Sequence, residues 1–266
     1  MTAPRDEWHF DTARIGRRVL VYDELGSTNA HAAALPGDAA ALDGLVVVAE
    51  NQTAGRGRFE RVWRSRPGGA LLLSVVLAPP AELRRPSILT AWAAVAVGEA
   101  VRELAGVQAR IKWPNDLLVR GKKVCGILIE QGAAGGSGFR TVVGIGLNLN
   151  QTAAEFAAAG LPDAASLATS TGRDTDLRAA ADAVVRHLDA EYACLLAGER
   201  VAVEADWKWR VGLLGRHVAV SLTDGTTHRG RLRDMSFDAL HLEQSDGSES
   251  VIIPERVEQI REDAGR

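Results

Sequence analysis

Hydrophobic positions along the chain form short apolar blocks bounded by turn residues, with a few longer segments at helical spacing. Residues 18–25 read as a strand that stops at Gly26-Ser27-Thr28-Asn29, where a Ser or Thr caps an Ala-rich helix over 30–35. Residues 44–50 read as a second strand, continuously apolar from Leu45 to Ala49, as in a strand covered on both faces. A polar, aperiodic stretch fills 52–69 before an apolar strand resumes at 70–78. Such a long patternless stretch inside a compact domain is uncommon and usually marks function or disorder.

Pro79-Pro80 then breaks the chain, and Pro86 opens a helix that is apolar nearly all round from Ile88 to Leu104 and ends at Gly106. An all-apolar helix of this kind is expected inside the core. Three short strands follow at 107–113, 116–119 and 123–130, turned by Pro114-Asn115 and Gly121, and a further strand at 140–150. The glycine-rich run 132–138 between them reads as a hairpin loop. Residues 151–175 read as loop with a short helix near 153–159, and 177–197 and 201–211 as helices. From about Arg216 the texture changes to short alternating strands at 218–222, 227–234, 239–243 and 250–253, with turns at Asp224-Gly225 and Asp246-Gly247. That pattern predicts a small β-barrel over 214–266 behind a main domain over 1–213. There are no internal repeats.

The 266 residues are 46% hydrophobic and 24% charged, enough for a sizeable core, and the net charge of −3 argues against a general nucleic-acid binder. Cys125 and Cys194 are the only cysteines, which disfavours a disulfide framework or a cysteine zinc site. Residues 1–10 have no apolar signal core, and no apolar run approaches the ~20 residues of a membrane helix. A soluble, cytoplasmic protein is expected.

Candidate chemistry concentrates in two places. The 52–69 stretch holds Arg56, Arg58, Arg61, Arg64 and Arg66 among Gly55, Gly57, Gly68 and Gly69, with Trp63 in the middle. Glycines let backbone amides turn toward an anion and arginine forks match phosphate oxygens, although a solvated basic loop has the same composition. Lys112-Trp113-Pro114-Asn115-Asp116 is followed seven residues later by Lys123, which a strand and turn can fold back toward Asp116. Gly126 interrupts an apolar strand, the mark of a bulge or a close-approaching ligand. Gly144-Ile145-Gly146 lacks the third glycine and following helix of a dinucleotide fingerprint, and that reading is rejected. The six histidines are scattered, and no phosphate-loop, zinc-helix or serine-elbow signature exists. No resident metal site is expected.

Taken in order, Gly26-Ser27-Thr28-Asn29, Gln52-Thr53-Ala54-Gly55-Arg56-Gly57-Arg58 with Trp63, Lys112-Trp113-Pro114-Asn115-Asp116, Gly121 to Leu128 and Gly144-Ile145-Gly146-Leu147-Asn148 resemble the catalytic domain of biotin–protein ligases. The resemblance implies an α/β (α+β) fold, with a mixed sheet flanked by helices and a C-terminal SH3-like barrel. It implies an ATP-dependent enzyme that forms biotinyl-5'-AMP from biotin and magnesium-bound ATP and passes biotin to a lysine of a biotin carboxyl carrier protein or domain. It assigns the biotin pocket to Ser27, Thr28, Asn29, Gln52, Arg56, Gly57, Arg58, Trp63, Lys123 and Gly126. The ATP and adenylate side falls to Arg58, Arg61, Asn115, Asp116 and Asn148, and catalysis to Lys123, Arg56 and Asp116. About 25 residues precede the Ser27 motif, so a ligase-only type without a DNA-binding domain is expected, and a homodimer stays open. A lipoate–protein ligase and a nucleic-acid-binding regulator are the competing readings.

Overall fold

A computed structural model of the chain describes residues 2–133 and 139–263. Most of the expected loop 132–138 lies outside those residues. The N-terminal part contains strands β1 (Asp6–Trp8), β2 (Val19–Leu25), β3 (Val46–Gln52), β4 (Ala70–Leu77), β5 (Arg110–Lys112), β6 (Asp116–Val119), β7 (Lys122–Ala133) and β8 (Phe139–Asn148). They form one eight-stranded sheet in the order β1-β2-β3-β4-β8-β7-β6-β5. Only β2 and β3 pair in parallel, so the sheet is mixed. Helices α1 (Thr28–Ala34), α2 (Pro86–Ala105), α3 (Ala153–Ala158), α4 (Leu167–Thr171), α5 (Leu177–Leu196) and α6 (Arg200–Val211) accompany it. Beyond α6, β9 (His217–Leu222), β10 (Thr227–Met235), β11 (Leu240–Glu243), β12 (Glu249–Ile252) and β13 (Val257–Glu262) make an antiparallel sheet in the order β12-β11-β10-β9-β13.

Strand alternation sorts the large sheet into two faces. Val19, Val21, Val46, Val48, Leu71, Leu73, Val75, Val143, Ile145 and Leu147 point into the main core with α2 and α5. Helix α2 is buried on almost every side, as its sequence predicts, and Trp92 at its centre is wholly inaccessible. The other face carries α1 over Leu20, Tyr22, Val47, Ala49, Val76 and Val142. Beyond α1 that same face is lined by Leu72, Ser74, Gly126, Leu128, Gly144, Gly146 and Asn148, where α1 leaves the sheet uncovered and a cavity forms.

The structure departs from the sequence expectation in several places. Helix α1 begins at Thr28 with Ser27 as its cap, two residues early. β1, α4 and β13 were not foreseen, and the first of the three short strands shrinks to Arg110–Lys112. The stretch 52–69 is not patternless: Arg56 and Val62 bridge as a small hairpin around the turn Arg58–Glu60.

Candidate active site

Three neighbouring glycines make the floor of the cavity. Gly126 pairs with Gly146 across β7 and β8, and Gly144 lies beside Ser74 and Leu128 in the same ladder. A methyl group on Gly146 would sit 2.7 Å from the Trp63 indole, and one on Gly126 would sit 3.1 Å from it and 3.2 Å from Lys123 Nζ. A methyl on Gly144 would run into the Asn29 amide. The glycines are therefore explained by close approach, not by turns.

A β-bulge delivers Lys123 to this floor. Leu117 pairs with Cys125 but the next residue, Leu118, pairs with Lys123, so Val124 is the extra residue of β7. Val124 and Cys125 consequently both point into the core, and Lys123 returns to the same face as Gly126. Lys123 Nζ lies 2.6 Å from Asp116 Oδ1 and 5.8 Å from the centre of the Trp63 ring. Backbone bonds from Lys123 to Asp163 and Ala165 pin the strand from the outside. Cys125 is wholly buried in the core, and that burial pushes its thiol well above its ordinary range.

A polar network lines the other end. The Ser27 hydroxyl accepts the Ala30 N–H at 3.4 Å and caps α1. Gln52 Oε1 accepts from both Thr28 N (2.7 Å) and Thr28 Oγ1 (3.0 Å). Ser74 Oγ lies 2.8 Å from Thr28 Oγ1 and 2.6 Å from Asn29 Oδ1, its one proton serving either. Asn29 Nδ2 donates to Glu130 Oε2 at 2.7 Å, and Arg56 Nη2 reaches the same oxygen at 3.1 Å. Beyond Lys123, Asn115 Nδ2 donates to Ile127 O (2.8 Å) and Asn148 Nδ2 to Ala165 O (2.9 Å).

The segment 53–69 forms a flap over the cavity. Its root is tied by Thr53 N and Ala54 N to Leu25 O and Gly26 O, and its two arms by Trp63 N to Gly55 O and Gly57 N to Arg61 O. Phe59 at the tip has φ 54°, a left-handed conformation that costs a bulky side chain energy, and its ring is exposed. Burial pushes the Arg58 guanidinium down, while the nearby carboxylates of Asp116 and Glu258 oppose that shift. A partly desolvated cation of this kind is poised to gain a great deal from an anion. The Trp63 indole N–H is buried with no hydrogen-bond partner. Arg66 does not join the site: it donates to Glu155 (2.6 Å) and Asn150 O (2.9 Å).

The cavity encloses about 370 Å³, and every residue assigned to the site from the sequence lines it: Ser27, Thr28, Asn29, Gln52, Arg56, Gly57, Arg58, Arg61, Trp63, Asn115, Asp116, Lys123, Gly126 and Asn148. Unforeseen contributors are Ser74 and Glu130 in the network, Phe59 on the flap, and Glu258 and Gln259 from β13. Ser74 was signalled only as one polar residue in an otherwise apolar strand. Among the described residues no three His, Cys, Asp or Glu side chains gather to hold a metal ion, and no helix is long and apolar enough to cross a membrane.

Comparison with known proteins bears on this geometry. The pattern of the biotin/lipoate A/B protein ligase family matches residues 37–148. The bifunctional ligase/repressor BirA of Bacillus subtilis (strain 168) is 32% identical over 240 residues, covering 90% of this chain and 74% of that one. The chain belongs to the biotin/lipoate A/B protein ligase family. Within this ligase family, a biotin–[acetyl-CoA-carboxylase] ligase of Mycobacterium tuberculosis is 34% identical over 223 residues, covering 82% of this chain and 80% of that one. The fold agrees with the biotin protein ligase from Aquifex aeolicus in complex with biotin and ATP, at a TM-score of 0.75 and 24% identity over 92% of this chain and 99% of that one. As a family member the chain is a ligase with a mixed sheet, flanking helices and a C-terminal antiparallel sheet.

Proposed function

We propose that the chain is an ATP-dependent biotin–protein ligase, which joins biotin to AMP and then transfers the biotinyl group to a lysine of a biotin carboxyl carrier protein or domain. The observation that carries this reading is one cavity with two chemically different ends. A neutral end of Ser27, Thr28 and Gln52 beside a bare glycine floor and an indole suits a small uncharged ring with amide-like edges. A cationic end of Lys123, Arg58 and Arg61 suits a carboxylate meeting a phosphate.

In the first step a biotin carboxylate oxygen attacks the α-phosphorus of ATP and pyrophosphate leaves. Two anions must meet, so alignment and neutralisation dominate the barrier. Lys123 stands between the glycine floor and Asp116, where the two reactants would join, and Asp116 fixes its ammonium. Arg56 and Arg58 come down from above on the flap. Magnesium enters with the nucleotide as part of the substrate. The acyl phosphate product is labile to water, and the flap with Trp63 covers it. In the second step the acceptor amine, which must be neutral against a reference pKa of ~10.4, attacks the acyl carbonyl and AMP leaves, Asp116 serving to orient the amine or take its proton.

Incubation with biotin, magnesium-ATP and a carrier domain should give streptavidin-reactive carrier, and omission of the carrier should leave biotinyl-AMP. A parallel reaction with lipoate separates the two acids that the family uses. Product from lipoate alone would overturn the proposal.

A further inference from the structure

The chemistry proposed above calls for cations at the cavity, yet Glu130 presents a carboxylate to the adjoining hollow that the flap lines, next to Arg56. It stands on β7 on the cavity face, in step with Gly126 and Leu128. Its Oε2 takes two donors from different parts of the chain: Asn29 Nδ2, on a residue only 4% exposed, and Arg56 Nη2, on the flap. Followed the other way, Asn29 leads through Ser74 and Thr28 to Gln52, the residue from which the flap departs. The hydrogen bonds therefore form a ring that leaves the backbone at Gln52 and re-enters at Arg56, four residues later. The only ion pair in that ring is Arg56 to Glu130.

We propose that Glu130 is a positioning residue which tethers the root of the flap through Arg56, and which sets the Asn29 amide at the neutral end of the cavity. Its carboxylate fits the two donors it meets: Asn29 offers one N–H, Arg56 offers a guanidinium, and an ionised oxygen accepts both. The tether holds the flap's base while leaving the tip to move, since Phe59 at the tip is largely exposed. It also balances the opposite wall, where Asp116 holds Lys123 in the same manner. Incoming anions then compete with two internal carboxylates for two cations, and the flap answers to ligand charge. Only this last consequence rests on the ligase reading; the tether itself is a property of the protein without substrates.

The experiment compares Glu130→Ala and Glu130→Gln with the parent chain. Trypsin cleavage within 56–66 in the absence of substrates should rise about fivefold in E130A, the scale of one half-exposed charged hydrogen bond. E130Q keeps an oxygen for Asn29 and Arg56 but loses the charge, and should show a smaller rise, between the parent and E130A. In adenylation assays E130A should raise KM for biotin by about tenfold with kcat within about threefold, because a mispositioned flap weakens ground-state and transition-state binding alike. Substrate-free cleavage equal to the parent in E130A would remove the tether, whatever the activity shows. Should E130A fail to fold, the proteolysis of E130Q alone decides, a rate equal to the parent overturning the proposal and a rise supporting it. If the parent chain makes no biotinyl-AMP, the ligase reading falls, and the proteolysis comparison still tests Glu130.

Discussion

Lys123 illustrates how little freedom the cationic end of the cavity allows. Its ammonium has Asp116 on one side, the Trp63 ring on another and the Gly126 backbone beneath. Replacement by alanine removes a charge-stabilising donor without touching the core, so the fold should persist while adenylate formation falls about 10²-fold or more. Single-turnover formation of biotinyl-AMP measures this, and an undiminished yield would take Lys123 out of the mechanism. Gly144 makes the complementary case for space. A methyl group there meets Asn29, whose amide is committed to Ser74, Leu128 O and Glu130 and cannot easily retreat. Gly144→Ala should cost about 1–3 kcal/mol of stability by overpacking and weaken biotin binding, read by urea denaturation and calorimetry. The cationic and turn residues of the site were legible in the sequence because their chemistry is distinctive. Ser74 and Glu130 were not, since each looks like an ordinary interruption of a strand until β4 and β7, on either side of β8, are brought under Asn29 of α1.

At the scale of elements, α1 holds Ser27, Thr28 and Asn29 at its first turn, and its far end is fixed by an unusual clamp. Arg140, only 6% exposed, donates to the carbonyls of Ala33 (2.8 Å), Leu35 (2.9 Å) and Gly37 (2.7 Å). A cation at a helix C-terminus also answers the helix dipole. Arg140→Met would leave the buried Leu35 carbonyl, and the part-buried carbonyls of Ala33 and Gly37, without their donor and should lower stability by about 1–3 kcal/mol, with biotin affinity falling as α1 shifts. Denaturant midpoints with and without biotin test both parts. The flap faces α1's end of the cavity, and biotin with ATP should protect the bonds after Arg56, Arg58, Arg61, Arg64 and Arg66 from trypsin. Unchanged cleavage would count against closure on binding. Strand periodicity made the central elements readable, whereas β13 escaped because a register shift between Val257 and Gln259 puts its buried residues, Val257 and Ile260, three apart. β1 is three residues with two acids, and carries too little pattern to be seen at all.

At the scale of the whole molecule, the large and small sheets are joined by packing that also reaches the cavity. Trp113 lines the cavity, donates its indole N–H to Val257 O at 3.3 Å, and lies 5.6 Å from Trp207, which lies 5.4 Å from Phe237. Arg85 at the head of α2 donates to Phe237 O and Glu255, and Phe237 N donates to Glu204. With Glu258 and Gln259 in the cavity wall, removal of residues 214–266 should abolish adenylation, not merely trim the chain. Full activity of a 1–213 fragment would refute that expectation. The join also carries an optical consequence. Two of the chain's six tryptophans meet with tilted rings at this seam, so their dichroism in the near ultraviolet depends on the small sheet staying seated. Loosening of that sheet would be seen there while the peptide signal in the far ultraviolet still looked native.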